Sequence, residues 1–300
     1  MAFMKTVIDR TAVLVVGLLA GFAVGISFSS TPLAVLAPAP TTPPAATAVP
    51  ATTTATPATP QRIDPRVAAR VAKTGIVQVG VFGDSFGVGV WSALYRMLPE
   101  REGYRVLRFG REATGFTRYR VADLTAQAKD DVRGDPIDVA VISLGVNDAQ
   151  DMWDGRLYPF MSDGWKGVVG QRIDSFVAAT RSTGAAVYWV GLPVMRDPVL
   201  DAKVQALNSF FATRMRALGV PFLPTRARSV DAQGRYASHL PDPKTGAPML
   251  VRTTDGVHMI GMGYQRLLPD VAARIRDYAR RAFEAAHRAP STSQSGRTAA

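Results

Sequence analysis

The chain has 300 residues, 47% of them hydrophobic, enough for a sizeable core in one large domain or two small ones. It has no cysteine and three histidines (His239, His258 and His287), so disulfides and thiolate metal sites are excluded and a multi-histidine metal site is not expected. The net charge of +11 comes from 35 Lys+Arg against 24 Asp+Glu, but no basic run carries interleaved aromatics, so nucleic acid is not an expected partner. Much of the excess sits in "RIRDYARRAFEAAHR", which reads as a solvated helix face; an anionic envelope or polysaccharide surface stays compatible with the charge.

In chain order, Lys5 and Arg10 precede residues 11–28, "TAVLVVGLLAGFAVGISF", which are apolar and uncharged. That length lies between a secretory h-region and a spanning helix. Prolines crowd the candidate cleavage site "AVLAPAP", so residues 1–29 are expected to be an uncleaved anchor in the inner membrane in preference to a removed signal. Basic residues before the apolar run place the rest of the chain outside the cytoplasm, in the periplasm. Residues 30–61 are Pro, Ala and Thr almost throughout and predict an extended spacer. A folded unit is expected over residues 62–288, followed by a disordered tail over residues 289–300.

Within that unit, short β-rich runs predict strands at 76–82, 104–109, 137–144, 186–192 and 220–223. Amphipathic stretches predict helices near 88–98, 117–132, 166–183, 199–218 and 262–287. Near-continuous apolar strands alternating with helices mean a parallel sheet covered on both faces. The expected fold is a three-layer α/β/α sandwich of about five strands, and in such sheets ligands collect at the carboxyl ends of the strands.

Three segments at such positions carry chemistry. Gly83-Asp84-Ser85 ends the first strand, "LGVND" with Asn147 and Asp148 ends the third, and "RTTDGVHMIGMGY" with Asp255 and His258 precedes the last helix. A serine needs a base to become nucleophilic; a neutral imidazole supplies one near pH 7, and a carboxylate on its other nitrogen fixes the tautomer. The tetrahedral intermediate then needs preorganised donors, for which the Asn147 amide and the Ser85 N–H at a helix N-terminus are suited. Each piece also has an ordinary reading: "GDS" as a turn, Asn147 and Asp148 as a cap, His258 as a core histidine. Their joint occurrence in this order favours the chemical one.

These residues carry a resemblance. "VFGDSFGVG", "LGVND" and "DGVHMIGMGY" resemble the sequence blocks of the SGNH (GDSL-like) hydrolase superfamily across nearly all of residues 75–280. "YWVGLPVMRD" and "DAQGRYASHL" further resemble a poorly characterised bacterial, envelope-associated branch. The resemblance implies a flavodoxin-like serine esterase with Ser85 as nucleophile, His258 as base and Asp255 orienting it. It also implies an oxyanion hole of Ser85 N–H, Asn147 and a glycine N–H, with Gly115 the best match and Gly110 its rival. Asp84 is expected to tether the active-site loop, and Asp148 to do the same. No cofactor is implied. "GDSFG" also fits the elbow pattern of α/β-hydrolases, but that nucleophile follows several strands, and Ser85 follows the first.

The loop after Asn147 holds Trp153, Tyr158, Phe160 and Trp165, and two readings stand: a sugar-stacking wall for substrate, or a lid packed on the core. An acylated carbohydrate or small ester is the expected substrate, and O-acetyl hydrolysis on an envelope polysaccharide or peptidoglycan-like polymer the expected reaction. An O-acetyltransferase using the same acyl-enzyme, or a catalytically inactive envelope-binding module, are the alternatives.

Overall fold

The computed structural model describes residues 60–288. The expected anchor over 1–29, nearly all of the expected spacer and the tail over 289–300 lie outside the described residues. No described helix is long and apolar enough to cross a membrane.

Five parallel strands form the centre: β1 (Val77–Gly83), β2 (Tyr104–Arg108), β3 (Val139–Ser143), β6 (Ala186–Val190) and β7 (Phe222–Leu223), in the order β2-β1-β3-β6-β7. Two small antiparallel hairpins lie apart from it, β4 (Met152–Trp153) with β5 (Leu157–Tyr158) and β8 (His239–Pro241) with β9 (Pro248–Leu250). Strand alternation sorts the apolar side chains into two cores. Val77, Val79 and Val81 of β1, with Val139 and Val141 of β3, face α1 (Pro65–Thr74), α2 (Ser85–Met97), α6 (Gly261–Leu267) and α7 (Pro269–Arg288). Phe82, Ala140, Ile142, Val187 and Trp189 face α3 (Leu124–Gly134), α4 (Asp163–Arg181) and α5 (Pro198–Ala217). Residues 60–288 thus form a three-layer α/β/α sandwich.

Three differences from the predicted elements have physical causes. The helix expected over 117–132 begins only at Leu124, where Asp123 caps it by accepting the N–H groups of Thr125 and Ala126. The preceding residues turn in a short 3-10 helix, Phe116–Arg118, toward the site. The helix expected over 262–287 is two helices, because Pro269 has no N–H to continue the first. Ordered structure also reaches Gln61, inside the expected spacer. The Gln61 side chain donates to Val187 O and accepts from Val187 N, both at 3.1 Å, closing the edge that the short β7 leaves open on β6.

Candidate active site

The turn from β1 to α2 is tight because glycine flanks it. Gly83 has φ +142° and a side chain there would collide with Ser143 O; at Gly87 a Cβ would stand 2.7 Å from Phe82 O. Asp84 caps α2, its carboxylate accepting Phe86 N–H at 2.9 Å. Ser85 therefore opens the helix, where its backbone N–H has no intrahelical acceptor and lies in the positive field of the helix N-terminus.

The structure brings Ser85 and His258 together across 173 residues of sequence, with Ser85 Oγ 2.8 Å from His258 Nε2. His258 Nδ1 lies 2.7 Å from Asp255 Oδ2. With the proton on Nδ1, Nε2 is the acceptor for the serine hydroxyl. The turn holding them is built by Asp255 itself: Oδ1 accepts Val257 N–H at 2.8 Å, His258 N–H at 3.0 Å and the Thr253 hydroxyl at 2.6 Å. Burial pushes the Asp255 carboxyl up, but the donors from His258, Thr253 and Val257 outweigh it and hold it well below the usual carboxylate range. The His258 ring stacks on Phe86, centroids 5.4 Å apart, so the residue after the serine also fixes the imidazole plane.

Asn147 and Asp148 sit in a 3-10 turn after β3, entered by Gly145 at φ +134°. Asn147 Nδ2 donates to Thr114 O at 2.8 Å and, more weakly, to Asp84 Oδ2 at 3.4 Å. Asp84 Oδ2 also accepts Gly145 N–H at 3.2 Å, so this carboxylate joins the serine turn to the asparagine turn. Asp148 joins the asparagine turn to the loop after β2, accepting Phe116 N–H at 3.1 Å and Thr117 N–H at 2.7 Å. Both carboxylates are fully buried. Burial pushes Asp84 up to about 6 against the pull of the Phe86 and Gly145 amides, and it pushes Asp148 up as well.

Gly115 lies beside this cluster: a Cβ there would come within 2.7 Å of Asp148 Oδ1 and 3.4 Å of Asn147 Cβ. Gly110 lies elsewhere, against the start of α2, where a Cβ would stand 3.0 Å from Val88 N. The geometry thus puts Gly115, not its rival, next to Asn147.

The aromatic loop divides. Trp165 is fully buried, edge-on to Phe160 and Phe210, and its indole N–H donates to Gln150 O at 3.1 Å. It therefore cannot stack on a substrate; the stacking role expected for Trp165 is replaced by packing on the core. Its reach to the site is indirect, since Gln150 in turn donates to Asn147 O at 2.8 Å. Tyr158 is half-buried against Gly164, with the Arg156 guanidinium 4.7 Å from its ring centroid. Trp153, on the β4–β5 hairpin, is 55% exposed and offers an open aromatic face.

One supporting residue carries no sequence signal. Arg252 is 1% exposed, and its guanidinium donates to Val194 O at 2.7 Å, Ser229 O at 3.4 Å and Val257 O at 3.3 Å. It pins the residue before His258 to the loop after β6. Burial pushes its guanidinium down from the ordinary value, and its Nε has no partner among the described residues. Nothing in the sequence distinguishes it from the many exposed arginines. Among the described residues no group of His, Asp and Glu side chains is arranged to hold a metal ion.

The arrangement can therefore do serine acyl chemistry: a hydroxyl on a base, a base on a carboxylate, and amide donors facing the same strand ends. The family model described as "Protein of unknown function (DUF459)" matches residues 78–274, more than half of the sequence, and takes in Ser85, Asn147, Asp255 and His258. The chain belongs to the DUF459 family. No curated protein matches this DUF459 member significantly in sequence. Solved structures similar to it include TesA, 19% identical, with 67% of this chain and 99% of that one covered at a TM-score of 0.44. A GDSL-like lipase from Bacteroides thetaiotaomicron is 17% identical, with 73% and 100% covered at a TM-score of 0.45. A catalytic mutant of Axe2, an acetylxylan esterase from Geobacillus stearothermophilus, is 18% identical, with 67% and 93% covered at a TM-score of 0.44.

Proposed function

We propose that this DUF459 protein is a serine acyl-ester hydrolase working through an acyl-enzyme on Ser85. The observation that carries the reading is the continuous chain from Ser85 Oγ to His258 Nε2 at 2.8 Å and from His258 Nδ1 to Asp255 Oδ2 at 2.7 Å. In this reading Ser85 Oγ attacks the ester carbonyl carbon as His258 Nε2 takes its proton, and Asp255 stabilises the imidazolium. The Ser85 and Gly115 N–H groups bind the oxyanion together with the Asn147 amide, which gives up its weak 3.4 Å contact with Asp84 Oδ2 to do so. The intermediate collapses, and the alcohol leaves with the proton from Nε2. Water, deprotonated by His258, then attacks the acyl-enzyme; the acid is released and Ser85 regains its proton. Asp84 and Asp148 touch no reacting atom; they hold the three donor-bearing turns at fixed spacing.

The substrate in this reading is an O-acetyl ester on an envelope glycan, reached from outside the cytoplasm by a domain tethered through residues 11–28. Lys5 and Arg10 before the apolar run, and the Pro/Ala/Thr spacer after it, support the location. The exposed Trp153 supports a sugar ligand, whose apolar ring face stacks on an indole.

The test is p-nitrophenyl acetate hydrolysis by the full-length protein. Wild type is expected to turn it over, and Ser85→Ala and His258→Ala to lose the activity with unchanged far-UV circular dichroism. Full activity in Ser85→Ala would overturn the reading.

A further inference from the structure

Beside the Asp255–His258 turn lies a cation that the acyl chemistry does not use. Arg196 follows β6 at the carboxyl edge of the sheet. Its backbone N–H donates to Gly256 O at 2.9 Å, while Met195 N–H donates to Asp201 Oδ1 at 2.8 Å and Asp197 caps α5. The backbone is thus held on both sides of Arg196. Its side chain lies flat across Gly256: a Cβ there would come within 2.6 Å of Arg196 Cβ, 2.5 Å of Nε and 2.8 Å of Cζ. Gly256 also has φ +76°, so the position is closed to other residues twice over. The guanidinium is thereby seated against the backbone of the turn that carries Asp255 and His258 of the proposed triad.

No protein anion answers it. Among the described residues Arg196 forms no ion pair within 4.0 Å, although it is exposed, whereas Arg226 is matched by Asp201 and Arg228 by Asp270. Asp255 is already engaged by His258, Val257 and Thr253, and Asp197 by Leu200 N–H. Across the site, the loop after β2 carries Arg118 and Arg120, also without ion pairs among the described residues. In the strand order β2-β1-β3-β6, the loop that carries Arg118 and Arg120 and the segment that carries Arg196 follow the strands on either side of those leading to the Ser85 and Asn147 turns. Guanidinium groups unmatched by carboxylates at a cleft mouth attract and orient oxyanions.

We propose that Arg196 is a specificity-determining residue that binds an anionic group, carboxylate or phosphate, carried by the substrate beside its ester. The proposal rests on the acyl-hydrolase reading and names the substrate class of that same site: an acidic ester.

The test compares full-length wild type, Arg196→Met and Arg196→Lys on phenyl acetate, 4-acetoxybenzoate and 4-acetoxyphenyl phosphate, which share one acetyl ester and differ in charge. Arg196→Met removes a charge-assisted hydrogen bond to the bound substrate, which is expected to lower kcat/KM on a charged ester about tenfold or more, mainly through KM. Phenyl acetate should change by less than about threefold, and Arg196→Lys should recover part of the loss by keeping the charge without the fork. The ester that suffers more identifies the anion as carboxylate or phosphate. Equal losses on all three esters would overturn this proposal alone, because they would make Arg196 a latch on the Gly256 turn. Absence of turnover of every ester by wild type would overturn the hydrolase reading and this proposal with it.

Discussion

Asp148 Oδ1 accepts both the backbone N–H of Thr117 at 2.7 Å and its hydroxyl at 2.8 Å, while the backbone of Asp148 continues directly from Asn147. One buried carboxylate thus sets the distance between two of the three loops that would surround an oxyanion. Gly115 fits beneath it because it lacks a side chain, not because of an unusual backbone, since its φ of 174° is open to any residue.

Gly115→Ala is therefore expected to push on Asp148 without straining the main chain. Steady-state kinetics should show kcat falling about 10²-fold, the scale of one missing oxyanion donor. Asp148→Asn, which replaces one of the two accepting oxygens with an NH2 donor facing the Phe116 and Thr117 donors, should lower the unfolding free energy by about 2–4 kcal/mol in urea titrations. Wild-type stability in Asp148→Asn would remove the bracing role.

Asp84 makes a pH-dependent prediction. Its folded pKa, about 6, lies above the ordinary value of 3.8. The proton is thus bound more tightly in the native state, so this group's contribution to stability is complete below about pH 4 and is lost as pH rises through 6. The difference in unfolding free energy, wild type minus Asp84→Asn, should shrink from pH 4 to pH 7 by an amount on the order of 3 kcal/mol. Urea titrations of both proteins across that range check it; a difference that stays constant or grows contradicts the assigned burial.

The aromatic loop gives a contrast. Trp165→Ala empties a site in the core and should cost about 3–5 kcal/mol of stability. Trp153→Ala removes an exposed ring and should stay within about 0.5 kcal/mol of wild type. Thermal unfolding of the two variants measures both. In the hydrolase reading Trp153→Ala should still raise KM for an acetylated oligosaccharide while leaving p-nitrophenyl acetate unaffected.

Much of this was legible in the sequence, for identifiable reasons. The central strands announce themselves because a parallel sheet covered on both faces needs unbroken apolar runs, such as "IVQVGVF" and "IDVAVISL". Ser85, Asn147, Asp255 and His258 stand out because polar residues at the carboxyl ends of such strands have few packing reasons to be there. The β8–β9 hairpin escaped, since its three-residue strands carry no period. Residues 117–123 keep a helical pattern, but the Asp148 carboxylate takes the Phe116 and Thr117 amides and Asp123 starts the helix later. Trp165 and Arg252 were hidden for one reason: burial of a tryptophan or an arginine is decided by partners distant in the chain.

Arg252 tests how far the triad depends on what lies behind it. Arg252→Met leaves the carbonyls of Val194, Ser229 and Val257 without their donor, and His258 should lose its fixed position. On p-nitrophenyl acetate, kcat is expected to fall about tenfold with KM within about twofold, which corresponds to a residue that positions the base and does not hold substrate. Arg252→Lys should recover part of kcat; a change confined to KM would contradict the positioning role.

The most direct test of the serine chemistry is where a fluorophosphonate attaches. Intact-mass and peptide-mapping measurements on the full-length protein should find one adduct, on Ser85, and none in His258→Ala under the same conditions. An adduct on another serine, or equal labelling of Ser85 with and without the imidazole of His258, would contradict it.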